Sequence, residues 1–475
     1  MPDAIVVGSG PNGLAAAITL ARAGLSVTAL EAAATPGGGA RSAELTLPGY
    51  VHDVCSSIMS LARLSPFLAS IDWTKHGVAF IRPDVPVAQA FTPDRGVLLE
   101  RSIEATAEGL GRDGAAWRRL MGPLVDDADE LMPWLLGPTM RLTRHPIAQA
   151  RFGLPALLSA TRLGALWFRD EPARALLAGL SAHSMLSLRR PATAAFGLVL
   201  GMTAHADGWP VVAGGVGRLA DGLAKEFRAL GGTIEVGHEV RSLAELPVAK
   251  AVLLDVAPRH AASIAADQLP DGYRRALERF RYGAGVFKVD WALSGPIPWR
   301  DPALGRAGTV HLGGSIDEVA LSESEVEHGR IAERPFVLLV QASICDPSRA
   351  PADGQTAWAY CHVPPGSTVD MTERMEAQIE RYAPGFRELV LGRTTHDTVA
   401  LEAYNANYVG GDINAGKQDL RQQFARPVMA RDPYAMPASG LYLCSSSTPP
   451  GGGVHGMSGY LAAKSALKRE FKISI

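Results

Sequence analysis

The feature that most constrains this chain is a glycine-rich turn set between two short apolar runs at its start. Ala4-Ile5-Val6-Val7 is continuous and apolar, the pattern of a parallel strand buried on both faces. It leads into Gly8-Ser9-Gly10-Pro11-Asn12-Gly13, which has the G-x-G-x-x-G order. Leu14 to Ala23 reads as an alanine-rich helix ended by Gly24, and Leu25 to Leu30 as a second strand closed by Glu31. The whole is a βαβ unit. Gly8 permits the tight turn, Gly10 lets the backbone approach a diphosphate, and Gly13 lets the helix pack closely on the strand. Pro11 and Asn12 complete the binding loop. The helix N-terminus offers unpaired N–H groups and partial positive charge to phosphates. Glu31 can accept hydrogen bonds from a ribose diol and would repel a 2′-phosphate.

Such a unit occupies a small part of 475 residues, so a second domain is expected. With 47% apolar and 20% charged residues the chain has the profile of a globular enzyme. A net charge of −2 gives no reason to expect nucleic acid as a partner. The four cysteines, Cys55, Cys345, Cys361 and Cys444, form no Cys-x-x-Cys pair, so neither a dithiol redox centre nor a metal site is expected. Asp3 and Arg22 argue against a signal peptide, and no apolar run is long enough to span a bilayer. A cytoplasmic location is the expectation.

Three further segments resemble those of FAD oxidoreductases. Thr35-Pro36-Gly37-Gly38-Gly39-Ala40-Arg41-Ser42 follows the acid closely and is similar to the Gly-Gly-x-x-[Arg/Ser/Thr] box of enzymes related to glutathione reductase, amine oxidases and carotenoid desaturases. It implies a second backbone approach to the diphosphate at Gly38 and Gly39, with Arg41 and Ser42 available to its oxygens; a solvated surface arginine is the plainer reading of Arg41. Trp209 to Leu219, a helix from Ala220 to Leu230, and the strand Thr233-Ile234-Glu235-Val236 leading to Val240 resemble a block in which the valine meets the adenine. Gly440-Leu441-Tyr442-Leu443-Cys444 reads as a strand, followed by Ser445 to Gly459 and a helix from Tyr460 to Phe471. This last stretch is similar to the signature of phytoene and carotenoid desaturases, and closer still to the pyridine nucleotide-disulphide oxidoreductase domain 2-like branch. The resemblance implies non-covalent FAD, with Ser447, Gly456, Met457 and Ser458 in its site. A helix dipole there would favour negative charge on the reduced ring. His455 either touches the flavin or merely packs. No second G-x-G-x-x-G follows a strand, so no separate NAD(P) domain is expected.

The expected fold is α/β: a Rossmann-type, glutathione reductase-like FAD domain from 1–60, 206–272 and 427–475, interleaved with a mixed-sheet and helical substrate domain from 61–205 and 273–426. Leu131 to Arg169 is apolar, helical in pattern and broken by prolines; a helical bundle is the plain reading, and a lid touching a membrane surface the sharper one. In Val286 to Leu293, alternation puts Phe287, Val289 and Trp291 on one face and Lys288 and Asp290 on the other. That second face is either solvent or, by similarity to amine oxidases, the place of a lysine that holds water at flavin N5. Tyr404, Asn405, Asn407 and Tyr408 either line the pocket or serve a turn. Lys288, His455 and Tyr404 are thus the catalytic candidates. The implied function is hydride transfer from a mainly apolar small molecule to the flavin, with oxygen or a quinone as acceptor. Amine oxidation, redox-neutral isomerisation and a non-catalytic scaffold are the competing readings.

Overall fold

Two sheets organise the chain, and the computed structural model describes residues 1–138 and 144–474 of it. The first sheet is wholly parallel, in the order Leu441–Leu443, Ala251–Leu254, Ala4–Val7, Val27–Glu31, Thr233–Val236. Ala4–Val7 lies at its centre with neighbours on both sides, which is why its four residues are all buried and apolar. The βαβ unit closes as expected, through a helix at Pro11–Arg22.

That helix is alanine-rich because it is packed from several sides. Ala15, Ala16 and Ala17 are fully buried, and the C-terminal helix Met457–Ala466 lies against it. The approach is backbone to backbone: a Cβ on Gly459 would fall 1.8 Å from the Asn12 carbonyl oxygen. The C-terminal helix therefore begins earlier than the sequence pattern implied, at Met457, and gives way to a π-helical turn at Leu467–Phe471.

The second sheet has seven strands, in the order Val390–His396, Gly285–Leu293, Gln355–Val363, Val337–Val340, Ala307–Leu312, Val85–Thr92, Arg95–Leu99. It is mixed, since Ala307–Leu312 pairs parallel with Val85–Thr92 and the other pairs are antiparallel. One face is a dry core: Phe287, Val289, Trp291, Val310, Leu339, Ala357 and Ala359 pack with Met375 and Ile379 of the Thr372–Tyr382 helix. The opposite face carries Lys288, Asp290, Thr309, His311, Trp358 and Tyr360, by simple alternation. It does not face solvent. Gly285–Leu293 is buried along its whole length, with Lys288 only 2% exposed, so the solvent reading of this face is corrected. Strands on both sides, and the Val51–Asp53 strand whose His52 comes within 3.5 Å of Asp290, enclose Lys288 and Asp290.

The helical layer includes Gly114–Asp126, Ala128–Leu135, Pro146–Ala156, Ala160–Trp167, Glu171–Ala182 and Ala194–Ala206. Leu131, Met132, Phe152 and Leu163 join the main core, so the apolar stretch expected from Leu131 onward is a packed bundle, its residues 139–143 lying outside the described part. Ile147, Leu154, Leu157 and Leu166 remain exposed on its outer side. No described helix is long and apolar enough to cross a membrane.

Candidate functional site

One cavity of about 850 Å³ runs from the first glycine turn to the polar face of the second sheet. At its nucleotide end the glycines do what their positions imply. Gly8 has φ +96°, and a Cβ on Gly13 would fall 2.1 Å from the Gly8 carbonyl oxygen, so only glycine lets this helix start against its strand. Gly38 abuts Gly10, with a Cβ on Gly38 only 3.0 Å from the Gly10 Cα. Gly8, Gly10, Pro11, Asn12, Gly38, Gly39 and Arg41 all line the cavity.

Glu31 is held open for one more partner. Its Oε2 accepts from the Ser9 amide (2.9 Å) and the Ser9 hydroxyl (2.6 Å), and its Oε1 from the Ala33 amide (2.9 Å). A carboxylate has about four acceptor sites, and the fourth, on Oε1, takes only a long hydrogen bond from Arg41 Nη2 at 3.5 Å, which a closer donor can replace. Arg41 itself donates to the Thr35 carbonyl at 2.6 Å and lies 5.7 Å from the Tyr404 ring. Tyr404 lines the cavity, and its hydroxyl donates to the Gly38 carbonyl at 3.1 Å. Its hydroxyl is thus spent on shaping the glycine box. Val240 is buried on the cavity wall beyond Glu31.

The far end of the chain closes the same cavity. Ser446 and Ser447 line it, Asn12 Nδ2 donates to Ser446 Oγ at 3.0 Å, and Ser447 Oγ donates to the Ala415 carbonyl at 3.0 Å. Gly453 and Val454 reach the wall, whereas His455, Gly456, Met457 and Ser458 lie behind it. His455 is fully buried, its Nδ1 accepting from the Met457 amide at 3.0 Å and its Nε2 3.2 Å from the Gly451 carbonyl. Burial lowers its pKa to about 4, so it is a neutral cap on the C-terminal helix. Ser458 Oγ turns to the Pro449 carbonyl at 3.2 Å. Gly456 has φ +67°, and a Cβ there would fall 2.8 Å from the Phe67 ring.

Two further expected site residues are turned away. Ser42 is off the cavity wall, donating to Asp53 Oδ1 at 2.6 Å and accepting from the Gly217 amide at 3.0 Å, a clamp between the glycine box and the Gly217–Ala229 helix. Lys288 is also off the wall. Its ammonium donates to both carboxylate oxygens of Asp290 and lies 5.1 Å from the Trp358 ring. Burial first, opposed by Lys288, leaves the Asp290 pKa raised to about 6.

Sequence reasoning gave Asp255 no role in the site, although Ala251 to Asp255 reads as a strand that ends in an Asp-x-x-Pro turn at Pro258. Its Oδ2 accepts from the Gly13 amide at 2.8 Å, beneath the glycine turn. Burial, and then the Glu31 charge, push its pKa up to about 7. Asn407 holds the following turn, accepting from the Ala257 amide at 2.7 Å and donating to the Asp255 carbonyl at 3.3 Å. Arg426, fully buried, donates to the Asn414, Ala415 and Ser446 carbonyls and ties the C-terminal loop to the wall. Single motifs do not reveal it.

Comparison with known proteins agrees with this geometry. The family described as NAD(P)-binding Rossmann-like domain matches residues 6–70. The pyridine nucleotide-disulfide oxidoreductase domain-containing protein 2 of Rattus norvegicus is 26% identical over 97% of this chain and 92% of that protein. The all-trans-zeta-carotene desaturase of Myxococcus xanthus is 25% identical over 95% of this chain and 90% of its own length. Among solved structures, an oxidoreductase from Methanosarcina mazei has a TM-score of 0.65 at 15% identity, covering 98% of this chain and 99% of the other. Putrescine oxidase bound to putrescine has a TM-score of 0.61 at 20% identity, covering 98% of each chain. The chain's homologues are thus oxidoreductases of the domain 2 and carotenoid desaturase kinds, and its fold is that of FAD-dependent oxidoreductases.

Proposed function

We propose that this homologue of domain 2 proteins and carotenoid desaturases binds FAD without a covalent link and dehydrogenates an organic substrate, with oxygen or a quinone as the final acceptor. The observation that carries this reading is the close packing of two helix N-termini, Pro11–Arg22 and Met457–Ala466, beside one cavity that also reaches a second sheet. Each N-terminus contributes the partial positive charge of its helix, which suits a diphosphate and an electron-rich ring, although the Gly13 amide is held by Asp255 and the Met457 amide by His455. The glycines leave room for backbone-to-phosphate contact, and Oε1 of Glu31 has an acceptor site for a ribose hydroxyl. When bound, FAD supplies a two-electron acceptor. The chain's own contribution is to hold it, to exclude water with the helical layer, and to present a C–H bond from the far chamber.

The purified protein is expected to be yellow, with one FAD per chain released on denaturation and poor reduction by NADH or NADPH. A colourless protein that binds NAD, or rapid stoichiometric bleaching by either nicotinamide, sinks this reading.

Asp255 makes the binding pH-dependent. Its pKa is raised to about 7 in the folded protein, so the neutral acid is favoured below that value and the carboxylate above it. A carboxylate would stand as an added negative charge beside the diphosphate. FAD affinity is therefore expected to be full below about pH 7 and to fall above it, by at most about tenfold per pH unit, with proton uptake on binding. Asp255→Asn should flatten that slope. Titration calorimetry in two buffers of different ionisation enthalpy measures the uptake; an unaltered slope in the variant removes Asp255 from the linkage.

A further inference from the structure

The far chamber of the cavity holds a histidine whose tautomer is fixed from behind. His183 caps the Glu171–Ala182 helix and lines the chamber, together with Leu200, Trp209 and Leu338. Its Nε2 lies 3.1 Å from Nε2 of His311. Two neutral imidazoles meeting this way share one proton, so one Nε2 donates and the other accepts. Burial lowers the His183 pKa to about 3 and holds His311 well below the ordinary range, so neither is a cation at neutral pH.

Which ring donates is decided on the other side of His311. His311 and Gln89 are directly opposite each other in the parallel pairing of their strands, so both side chains leave the sheet on one face. Gln89 Nε2 donates to the Ala90 and Gly314 carbonyls, each at 3.3 Å, which fixes its amide with Oε1 turned away from them. Gln89 Oε1 and His311 Nδ1 converge on Gly179: a Cβ there would fall 2.0 Å from the first and 2.7 Å from the second. Both atoms are buried and neither has a hydrogen-bond partner among the described residues, so each is the nearest polar neighbour left to the other across Gly179. An amide oxygen beside a ring nitrogen favours the proton on that nitrogen. His311 then carries its proton on Nδ1 and accepts at Nε2, His183 donates through Nε2, and the lone pair of His183 is left on Nδ1. Among the described residues that nitrogen has no protein partner, and it is not among the atoms sealed from the cavity.

We propose that His183 Nδ1 receives a neutral hydrogen-bond donor on the substrate, a hydroxyl carried by an apolar or aromatic body, and that His311 and Gln89 are positioning residues which keep that acceptor in place. The inference rests on the flavin reading, because it leaves the far chamber to the substrate. It also narrows that reading: a pure hydrocarbon would leave His183 Nδ1 without a partner, so the substrate is polar at one end. A ring held this far below neutrality acts as an acceptor and moves no proton.

Phenol carries this donor and anisole replaces its hydrogen by a methyl group, and the two serve as probes. By titration calorimetry, the flavin-loaded protein is expected to bind phenol about tenfold more tightly than anisole. In His183→Phe that preference should shrink to within about twofold, and in Gln89→Leu it should weaken as the His311 tautomer is freed. Equal binding in the wild type, no binding of either probe, or a preference kept in His183→Phe overturns the proposal. Should the variants not fold, the wild type decides alone. Spectra of ¹⁵N-labelled histidine must then contain a neutral ring with a bare Nδ1 whose resonance moves with phenol and not with anisole, and its absence overturns the proposal equally. Flavin content is read separately from the visible spectrum. A colourless protein that still prefers phenol sinks the flavin reading and keeps the His183 site, whereas a yellow protein without the preference does the reverse.

Discussion

Glu31→Arg is expected to yield a protein that no longer retains FAD. The native carboxylate holds the Ser9 amide and hydroxyl and the Ala33 amide, and keeps one acceptor site facing the cavity. A guanidinium accepts nothing, so those donors lose their partner and a second cation is set beside Arg41, which now lies 3.5 Å from the carboxylate. Losing a ribose contact and disordering the turn that carries Ser9 costs on the order of a few kcal/mol, or about a hundredfold or more in affinity. Glu31→Gln separates the two effects. It keeps size and one acceptor oxygen, so the fold should hold while FAD binds roughly tenfold more weakly. Flavin occupancy after dialysis checks both, with circular dichroism as the control for folding. Full occupancy in Glu31→Arg would mean that Glu31 serves only its own loop.

Much of the parallel sheet was legible because Ala4–Val7, Val27–Glu31 and Leu441–Leu443 are short, mainly apolar runs with a glycine close by, and both signals are local. Gly8, Gly10 and Gly13 could be assigned from spacing alone; the structure places Gly8 and Gly13 against backbone atoms that forbid a side chain, and a Cβ on Gly10 would fall 3.1 Å from the Asp255 carboxylate. The second sheet was legible only in part. Alternation in Gly285–Leu293 separated two faces correctly, but alternation says nothing of what lies over the polar one. There the cover is the Val51–Asp53 strand, with two further strands alongside, so Lys288 and Asp290 are interior. His183, His311 and Gln89 come from three distant stretches of chain, and only strand register brings Gln89 opposite His311. No motif could have joined them. Asp255 was visible at a strand end, but its contact with the Gly13 amide depends on strand order.

Lys288→Met tests what the buried lysine is for. Its ammonium is hydrogen-bonded to both oxygens of Asp290, and the pair is 2% and 0% exposed. His52 and His396 approach Asp290 at 3.5 and 3.9 Å, but burial and the Lys288 charge keep both pKa values low, His52 at about 3, so neither is a cation that compensates the carboxylate at neutral pH. Removing the ammonium leaves a buried carboxylate alone, a loss of about 3–5 kcal/mol. The sign of the pH dependence follows from Asp290. Burial already raises its folded pKa to about 6 against Lys288, and without Lys288 it rises further. A raised carboxyl pKa costs nothing below the unfolded value, destabilises increasingly as pH climbs from that value to the folded one, and levels off above it. The melting temperature of Lys288→Met is thus expected to lie well below wild type at pH 8 and to approach it near pH 5. Lys288→Met with Asp290→Leu should recover much of the loss, since the lone charge is gone. Scanning calorimetry of the three proteins at both pH values measures this. The amine oxidase comparison expects the opposite pattern, little change in stability and a much slower reaction of the reduced protein with oxygen. Should Lys288→Met melt like wild type at pH 8 while its reoxidation slows, the lysine belongs to the chemistry and its pairing with Asp290 is incidental.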